Sequence, residues 1–240
     1  MTTLFISDLH LEAARPDIGA QFAAFLEGEA RGADALYILG DLFESWVGDD
    51  DPNPHYAEAR ERIRAVSDSG VPVYFMHGNR DFMVGEDFAA AAGVEILADP
   101  VVHELHGTRV LLSHGDAYCT DDHEYQAVRR VTRDPDWQAM MLAKSLAERL
   151  AFAAKARADS LARGGTLDEV ISDVNQSAIE KVMREHGVTT MLHGHTHRPD
   201  VHHFDLDGRP ATRIVLGDWY EQGSVLRWGD DGYRLDALPR

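Results

Sequence analysis

Cysteine is nearly absent: Cys119 is the one thiol in 240 residues. An intrachain disulfide is therefore excluded, and a lone cysteine reads as a small core or loop residue rather than as chemistry. Lysine is also scarce, occurring at Lys144, Lys155 and Lys181. With 41 acidic against 23 basic side chains, the formal net charge is −18. Taken as a whole, such a surface repels nucleic acid and anionic lipid, which argues against generic DNA binding. It also suits a cell whose internal salt screens self-repulsion. No run approaches the roughly 18 apolar residues of a membrane span. The opening MTTLFISDLHLEAARPD has no basic leader, and its apolar stretch breaks at Asp8. It does not read as a secretory signal, so a protein kept inside the cell is expected.

What is present is ample apolar content, 44%, in a pattern that alternates between two periods. Short β-rich runs at Thr2–Ser7, Ala35–Leu39, Val71–Met76, Arg109–Ser113, Thr189–Leu192 and Arg213–Leu216 predict buried strands. Gly19–Glu29, Tyr56–Ser67, Asp87–Ala92 and Gln176–His186 carry helical spacing. The alternation predicts an α/β layered fold. A strand pair turning at Gly229–Gly232 is expected to close it. The middle differs. From 120 to about 165 the chain is rich in Ala, Leu and Arg without strand runs. Asp134-Pro135 reads as an N-cap with proline at the first helical position. Leu142, Leu146, Leu150 and Ala154 recur every four residues, predicting one amphipathic helix that ends at Gly164-Gly165. This stretch holds 8 basic and 7 acidic side chains, so it is near neutral in a strongly acidic protein. The expectation is one domain over 1–240 with a helical lid insert at about 120–170.

Five predicted strand ends carry potential ligands beside glycine or in a tight turn. They are Asp8-Leu9-His10, Gly40-Asp41, Gly78-Asn79-Arg80-Asp81, His114-Gly115-Asp116 and Gly194-His195-Thr196-His197. Ligands collect at the carboxyl ends of strands in open α/β sheets, and glycine lets the next side chain project at once from the sheet edge. Oxygen and imidazole donors without thiolate suit Mn²⁺, Fe²⁺, Zn²⁺, Co²⁺ or Ni²⁺. One carboxylate has two oxygens and can serve two ions, which together can clamp a phosphoryl group. The predicted chemistry is hydrolysis of a phosphate ester or pyrophosphate. His55, His103, His106, His186, His202 and His203 lack this setting and are expected to be structural. His77 and His193 precede the ligand glycines and are placed at strand ends.

The order Asp-x-His, Gly-Asp, Gly-Asn, His-Gly-Asp, Gly-His-x-His resembles the calcineurin-like metallophosphoesterases over residues 2–219, apart from the insert. The resemblance implies two facing mixed β-sheets flanked by helices. It also implies two metal ions, one held by Asp8, His10, Asp41 and His197 and the other by Asp41, Asn79, His114 and His195. Many members carry a histidine where this chain has Arg80. Arginine does not act as a general acid but stabilises charge. That favours a leaving group needing no proton, such as a phosphate monoester with a second pKa of about 6. A pyrophosphate bond is the expected target, with Arg80, Asp41 and His195 as catalytic groups.

SDLHLE, LGDLFESWVGDD, MHGNRDF, LSHGDAYCTDD, HGHTHRP and IVLGDW further resemble the subfamily of UDP-2,3-diacylglucosamine pyrophosphatases of lipid A biosynthesis. This implies attack by a metal-bridging hydroxide on the α phosphorus, giving UMP and 2,3-diacylglucosamine 1-phosphate, with two Mn²⁺ ions as the usual metal. It also implies a peripheral place on the cytoplasmic face of the inner membrane, with no nucleic acid and no obligate protein partner. Substrate contacts would come from Asn79, Arg80, Asp122, Ser160 and His195. The chain departs from the subfamily at Gly164 and Leu167, whose side chains cannot bind phosphate. Arg157 or Arg163 is the expected substitute. Trp137, Met141, Leu142 and Leu146 are expected either to line an acyl groove or touch the membrane, or to pack the insert against the body. The competing readings are another dimetal phosphodiesterase or dinucleoside polyphosphatase acting on soluble nucleotides, and a non-catalytic module that kept the fold.

Overall fold

The computed structural model describes residues 2–164 and 173–240, with 160–164 described as helix backbone alone. Ser160, Arg163, Gly164 and Leu167 as side chains therefore lie outside the described residues.

Among the described residues, eleven strands form two mixed sheets. In chain order the elements are β1 (Thr2–Ile6), α1 (Pro16–Glu27), β2 (Ala35–Leu39), α2 (Pro54–Asp68), β3 (Val73–Met76), α3 (Glu86–Ala92), β4 (Glu95–Leu97), β5 (Val101–Leu105) and β6 (Thr108–Leu112). Then come α4 (His123–Thr132), α5 (Pro135–Leu142), α6 (Leu146–Gly164), α7 (Gln176–His186), β7 (Thr190–His193), β8 (Asp200–Leu206), β9 (Arg209–Val215), β10 (Gly223–Gly229) and β11 (Gly232–Leu238). One sheet has the order β11-β10-β1-β2-β3-β4, the other β5-β6-β7-β9-β8.

The inner strands are apolar on both faces because each sheet is covered on both. In β1, Leu4 and Ile6 join the core beneath α1–α3, while Phe5 points the other way, into the layer shared with the second sheet. In β6, Val110 and Leu112 face that shared layer, while Leu111 faces Ile179 and Met183 of α7. Alternate side chains on a strand point to opposite faces, so continuous apolar runs are what this sandwich requires.

The predicted strands and the closing hairpin are present, and α1 begins three residues before its predicted start, with Pro16 in its first turn. Three strands were not legible: β4, β5 and β8 are all edge strands. An edge strand is half solvated, so its sequence carries polar residues that hide the pattern, as in the DVHHFDL of β8. The insert needs a correction. Asp134 does cap a helix, accepting from the Trp137 N–H at 3.0 Å. That helix stops at Leu142, and a separate one starts at Leu146. The break is a capping box: Glu148 Oε2 accepts from both the N–H (3.1 Å) and the hydroxyl (2.6 Å) of Ser145. The leucine repeat runs across this break in register and conceals it. Met141 is buried in the core beneath α1–α3, with Trp137 packed against it, so these two fasten the insert to the body. Leu142 stays 46% exposed.

Candidate metal centre

The loops that follow β1, β2, β3, β6 and β7 meet at one edge of the two sheets. Those after β1 and β2 run side by side, with Asp8 N–H donating to Gly40 O (3.1 Å) and His10 N–H to Asp41 O (3.0 Å). The turns after β6 and β7 are joined by Gly194 N–H to His114 O (2.9 Å). Five of the seven non-glycine residues with positive φ are predicted ligands: Asp8 (57°), His10 (51°), Asp41 (51°), His195 (69°) and His197 (57°). Each such conformation costs on the order of 1–3 kcal/mol and persists only where the surroundings enforce it. The glycines beside them admit the close approach. A Cβ on Gly78 would lie 2.1 Å from Asp41 Oδ1, and one on Gly194 would lie 2.3 Å from Asp8 Oδ2.

The ligand atoms fall into two groups, Asp8/His10/His197 and Asp41/His114/His195, each with its donor atoms within 4.8 Å of one another. Asn79 joins the second, its Oδ1 lying 3.1 Å from His114 Nε2. Asp41 faces both: Oδ2 is 3.8 Å from His10 Nε2, and Oδ1 is 3.8 Å from His114 Nε2. All seven predicted ligands are thus brought together.

The donor set fits divalent ions. Asp8 Oδ2 is occupied by the Ser7 hydroxyl (2.5 Å) and the His195 N–H (2.9 Å), while Oδ1 is buried without a hydrogen bond. His114 Nδ1 donates to Leu39 O at 2.9 Å, which leaves Nε2 as the lone-pair nitrogen turned inward. His197 Nδ1 lies 3.5 Å from Asp218, and its Nε2 lies 3.4 Å from Asp8 Oδ1. An imidazole held at its outer nitrogen by a carbonyl or carboxylate is the usual arrangement around a metal.

Burial alone would lower the His114 pKa, but Asp41, Asp8 and Asp116 outweigh it and raise it to about 9. His197 is likewise raised against burial, by the Asp8 carboxylate beside it. His195 is pushed down to about 4 by burial and by the charge on His114. At pH 7 the metal-free centre therefore holds a proton on His114, which an ion must displace. Mn²⁺ uptake at pH 7 is expected to release roughly one proton, with affinity rising as pH climbs toward 9. Calorimetry in buffers of different ionisation enthalpy measures this; release of no protons would contradict it.

Around the centre, Asp81 and Asp116 stand in the predicted ligand turns but had no role assigned from sequence, and His77 and His193 were placed at strand ends. Asp81 is fully buried and accepts from the N–H groups of Gly78 (2.8 Å) and Leu42 (2.8 Å), fixing the loop that presents Asp41. Burial and the neighbouring Asp41 charge raise its pKa to about 6. Asp116 is also fully buried, accepting from Tyr125 Oη (2.6 Å) and Arg129 Nε (2.9 Å), while the Tyr125 ring stacks on His195 at 5.9 Å. Helix α4 is thereby tied to the centre. His193 is buried, its Nδ1 donating to Gly194 O (2.9 Å) and its Nε2 accepting from Arg213 (3.2 Å). His77 donates to Val84 O at 2.7 Å. The signal available for Asp81 and Asp116 was their place in the glycine-bearing ligand turns, Gly78-Asn79-Arg80-Asp81 and His114-Gly115-Asp116. Of the predicted substrate contacts, Asp122 caps α4 by accepting from the Tyr125 N–H at 2.9 Å. Arg80 donates its N–H to Asp41 Oδ1 at 2.8 Å, and its Nε is buried without a hydrogen bond.

A family model for calcineurin-like phosphoesterases matches residues 1–199. A protein of Stenotrophomonas maltophilia (strain K279a) named UDP-2,3-diacylglucosamine hydrolase is 55% identical, and the alignment covers 100% of both chains. Proteins of the same name from Xanthomonas oryzae pv. oryzae (strain PXO99A) and Aeromonas hydrophila subsp. hydrophila are each 54% identical. They align over 99% of this chain and 99% and 100% of their own lengths respectively.

Proposed function

Since the chain belongs to the calcineurin-like phosphoesterases, we propose that it hydrolyses the pyrophosphate bond of UDP-2,3-diacylglucosamine to UMP and 2,3-diacylglucosamine 1-phosphate. One observation carries the reading. Among the described residues, every exposed large hydrophobic side chain lies on the helical insert: Val128, Val131, Met140, Leu142, Leu150 and Phe152. The same insert stacks Tyr125 on His195. A phosphate-cleaving centre is thus joined to an apolar surface, which an acylated nucleotide sugar needs and a soluble nucleotide does not. We read the chain as one domain with this insert as its lid.

Two Mn²⁺ ions are the proposed cofactors, held by Asp8, His10, Asp41 and His197 and by Asp41, Asn79, His114 and His195. When bound, they polarise phosphoryl oxygens and lower the pKa of a water. Arg80 presents a guanidinium 4.0 Å from the Glu44 carboxylate, so it is available to the charge that develops on the α phosphoryl group. The departing sugar phosphate needs no proton, so a permanently charged arginine suffices. Asn79 and His195 complete the polar wall, and Asp122, Ser160 and Arg157 are proposed contacts from the lid. No helix among the described residues is long and apolar enough to cross a membrane. A peripheral place on the cytoplasmic face of the inner membrane is proposed on the exposed apolar face of the lid.

Hydrolysis in ¹⁸O-labelled water tests the reaction. The label is expected in UMP; label in the sugar phosphate, or release of UDP, would contradict attack at the α phosphorus. The lid is tested by Phe152→Asp and Leu142→Asp. Burying such side chains fully contributes about 1.5–3 kcal/mol, so partial contact predicts a KM for the acylated substrate raised about tenfold. Turnover of bis-p-nitrophenyl phosphate is expected to change less than twofold, and an equal change on both substrates would remove the acyl-contact role.

A further inference from the structure

Glu44 is 4% exposed, yet its motif places it among apolar neighbours, between Phe43 and Ser45-Trp46. Its backbone is pinned beside the ligand loop of β1: Leu11 N–H donates to Leu42 O (2.9 Å) and Glu44 N–H to Leu11 O (3.1 Å). Glu44 Oε2 lies 3.1 Å from His10 Nδ1. The other nitrogen of that ring, Nε2, faces His197 Nε2 at 3.3 Å and Asp41 Oδ2 at 3.8 Å. The second oxygen, Oε1, pairs directly with Arg157 of α6 and lies 4.0 Å from Arg80 Nη1. His10 is 3% exposed and Tyr220 stacks on its ring at 5.3 Å, so the ring is held from two directions.

A buried carboxylate is costly unless cations balance it, and here one imidazole and two guanidinium groups converge on it from three segments of the chain. The carboxylate beside Nδ1 favours the proton on that nitrogen of His10, leaving Nε2 to act as the ligand. The same charge offsets the repulsion between Arg80 and Arg157, which both face Oε1. Arg80 comes from the loop after β3 and Arg157 from the lid, so the carboxylate spans body and lid.

We propose that Glu44 is a positioning residue that orients His10 with one oxygen and, with the other, docks the lid through Arg157 beside Arg80. The inference rests on the dimetal hydrolase reading above.

Mn²⁺ binding to purified protein without substrate tests it. Loss of an outer carboxylate on a ligating histidine typically lowers metal affinity 10- to 100-fold. Glu44→Gln is expected to weaken one ion by about that factor while the other binds as in the wild type, and excess Mn²⁺ is expected to restore kcat. Arg157→Met is expected to leave both Mn²⁺ affinities unchanged and to raise KM for the acylated UDP-sugar about tenfold, the effect of losing one charge-assisted contact. Should Glu44→Gln not fold, Glu44→Asp keeps the charge but retracts it by one carbon, and the same one-ion weakening is expected. Wild-type affinity for both ions in the folded Glu44 variant would overturn the His10 role. An unchanged KM in Arg157→Met would overturn the docking role. Failure of the underlying reading shows separately, as wild-type protein that binds no second ion or leaves the acylated substrate intact.

Discussion

Asp41→Asn is expected to lower kcat/KM by about a thousandfold and to reduce bound Mn²⁺ from two ions toward one. The side chain sits between the two donor groups, with Oδ2 turned to His10 and Oδ1 to His114, both at 3.8 Å. Oδ1 also accepts the Arg80 N–H at 2.8 Å. An asparagine supplies one carbonyl oxygen, so whichever way the amide is turned, an NH₂ group faces one of the two groups. A Lewis acid at a phosphoryl group contributes several kcal/mol to transition-state stabilisation, and each 1.36 kcal/mol is a factor of ten in rate. Metal content by mass spectrometry, alongside steady-state kinetics and circular dichroism, measures the effect. Two retained ions with activity within tenfold of wild type would exclude a bridging role.

Arg80→Met is expected to lower kcat by about 100- to 1000-fold while leaving both ions bound, the usual consequence of removing one donor aimed at developing charge. The distinction from Asp41 is geometric. The Arg80 backbone N–H, not its side chain, contacts Asp41, so substitution of the guanidinium leaves the donor groups standing. Arg80→Lys keeps the charge but loses the planar fork and is expected to recover about tenfold of the loss. A normal kcat for Arg80→Met with a raised KM alone would reassign Arg80 to ground-state binding.

The donor set was legible because chemistry and backbone conformation coincide. Asp and His are among the few residues that tolerate a left-handed backbone, so aspartates and histidines beside glycine at strand ends mark the turns as well as the ligands. The inner strands were legible because both of their faces are buried. What stayed hidden lies one layer out. Glu44, Asp81 and Asp116 act through hydrogen bonds and ion pairs to segments distant in sequence, and no periodicity reports such partners. The division of the lid into α5 and α6 was hidden for the opposite reason. The Leu142–Leu146–Leu150 spacing is perfect for one helix, but the Ser145–Glu148 capping box supplies a start signal that periodicity ignores. The lid leucines likewise could not be assigned from spacing: Met141 packs into the body and Leu142, its neighbour, faces outward.

The charge balance of the chain bears on where the lid works. A protein of net charge −18 is repelled by anionic membranes, yet the lid is near neutral and carries the exposed apolar side chains. Repulsion of the body and attraction of the lid would together present one face to a bilayer, with the strength of contact rising as salt screens the body's charge.

The most direct test of the account compares kcat/KM, with Mn²⁺ present, for UDP-2,3-diacylglucosamine and for UDP-N-acetylglucosamine, which offers the same pyrophosphate without the long acyl chains. The account predicts a preference of at least about a hundredfold for the acylated substrate, since each well-buried apolar side chain's worth of contact contributes on the order of a factor of ten or more. Equal turnover of the two would contradict it.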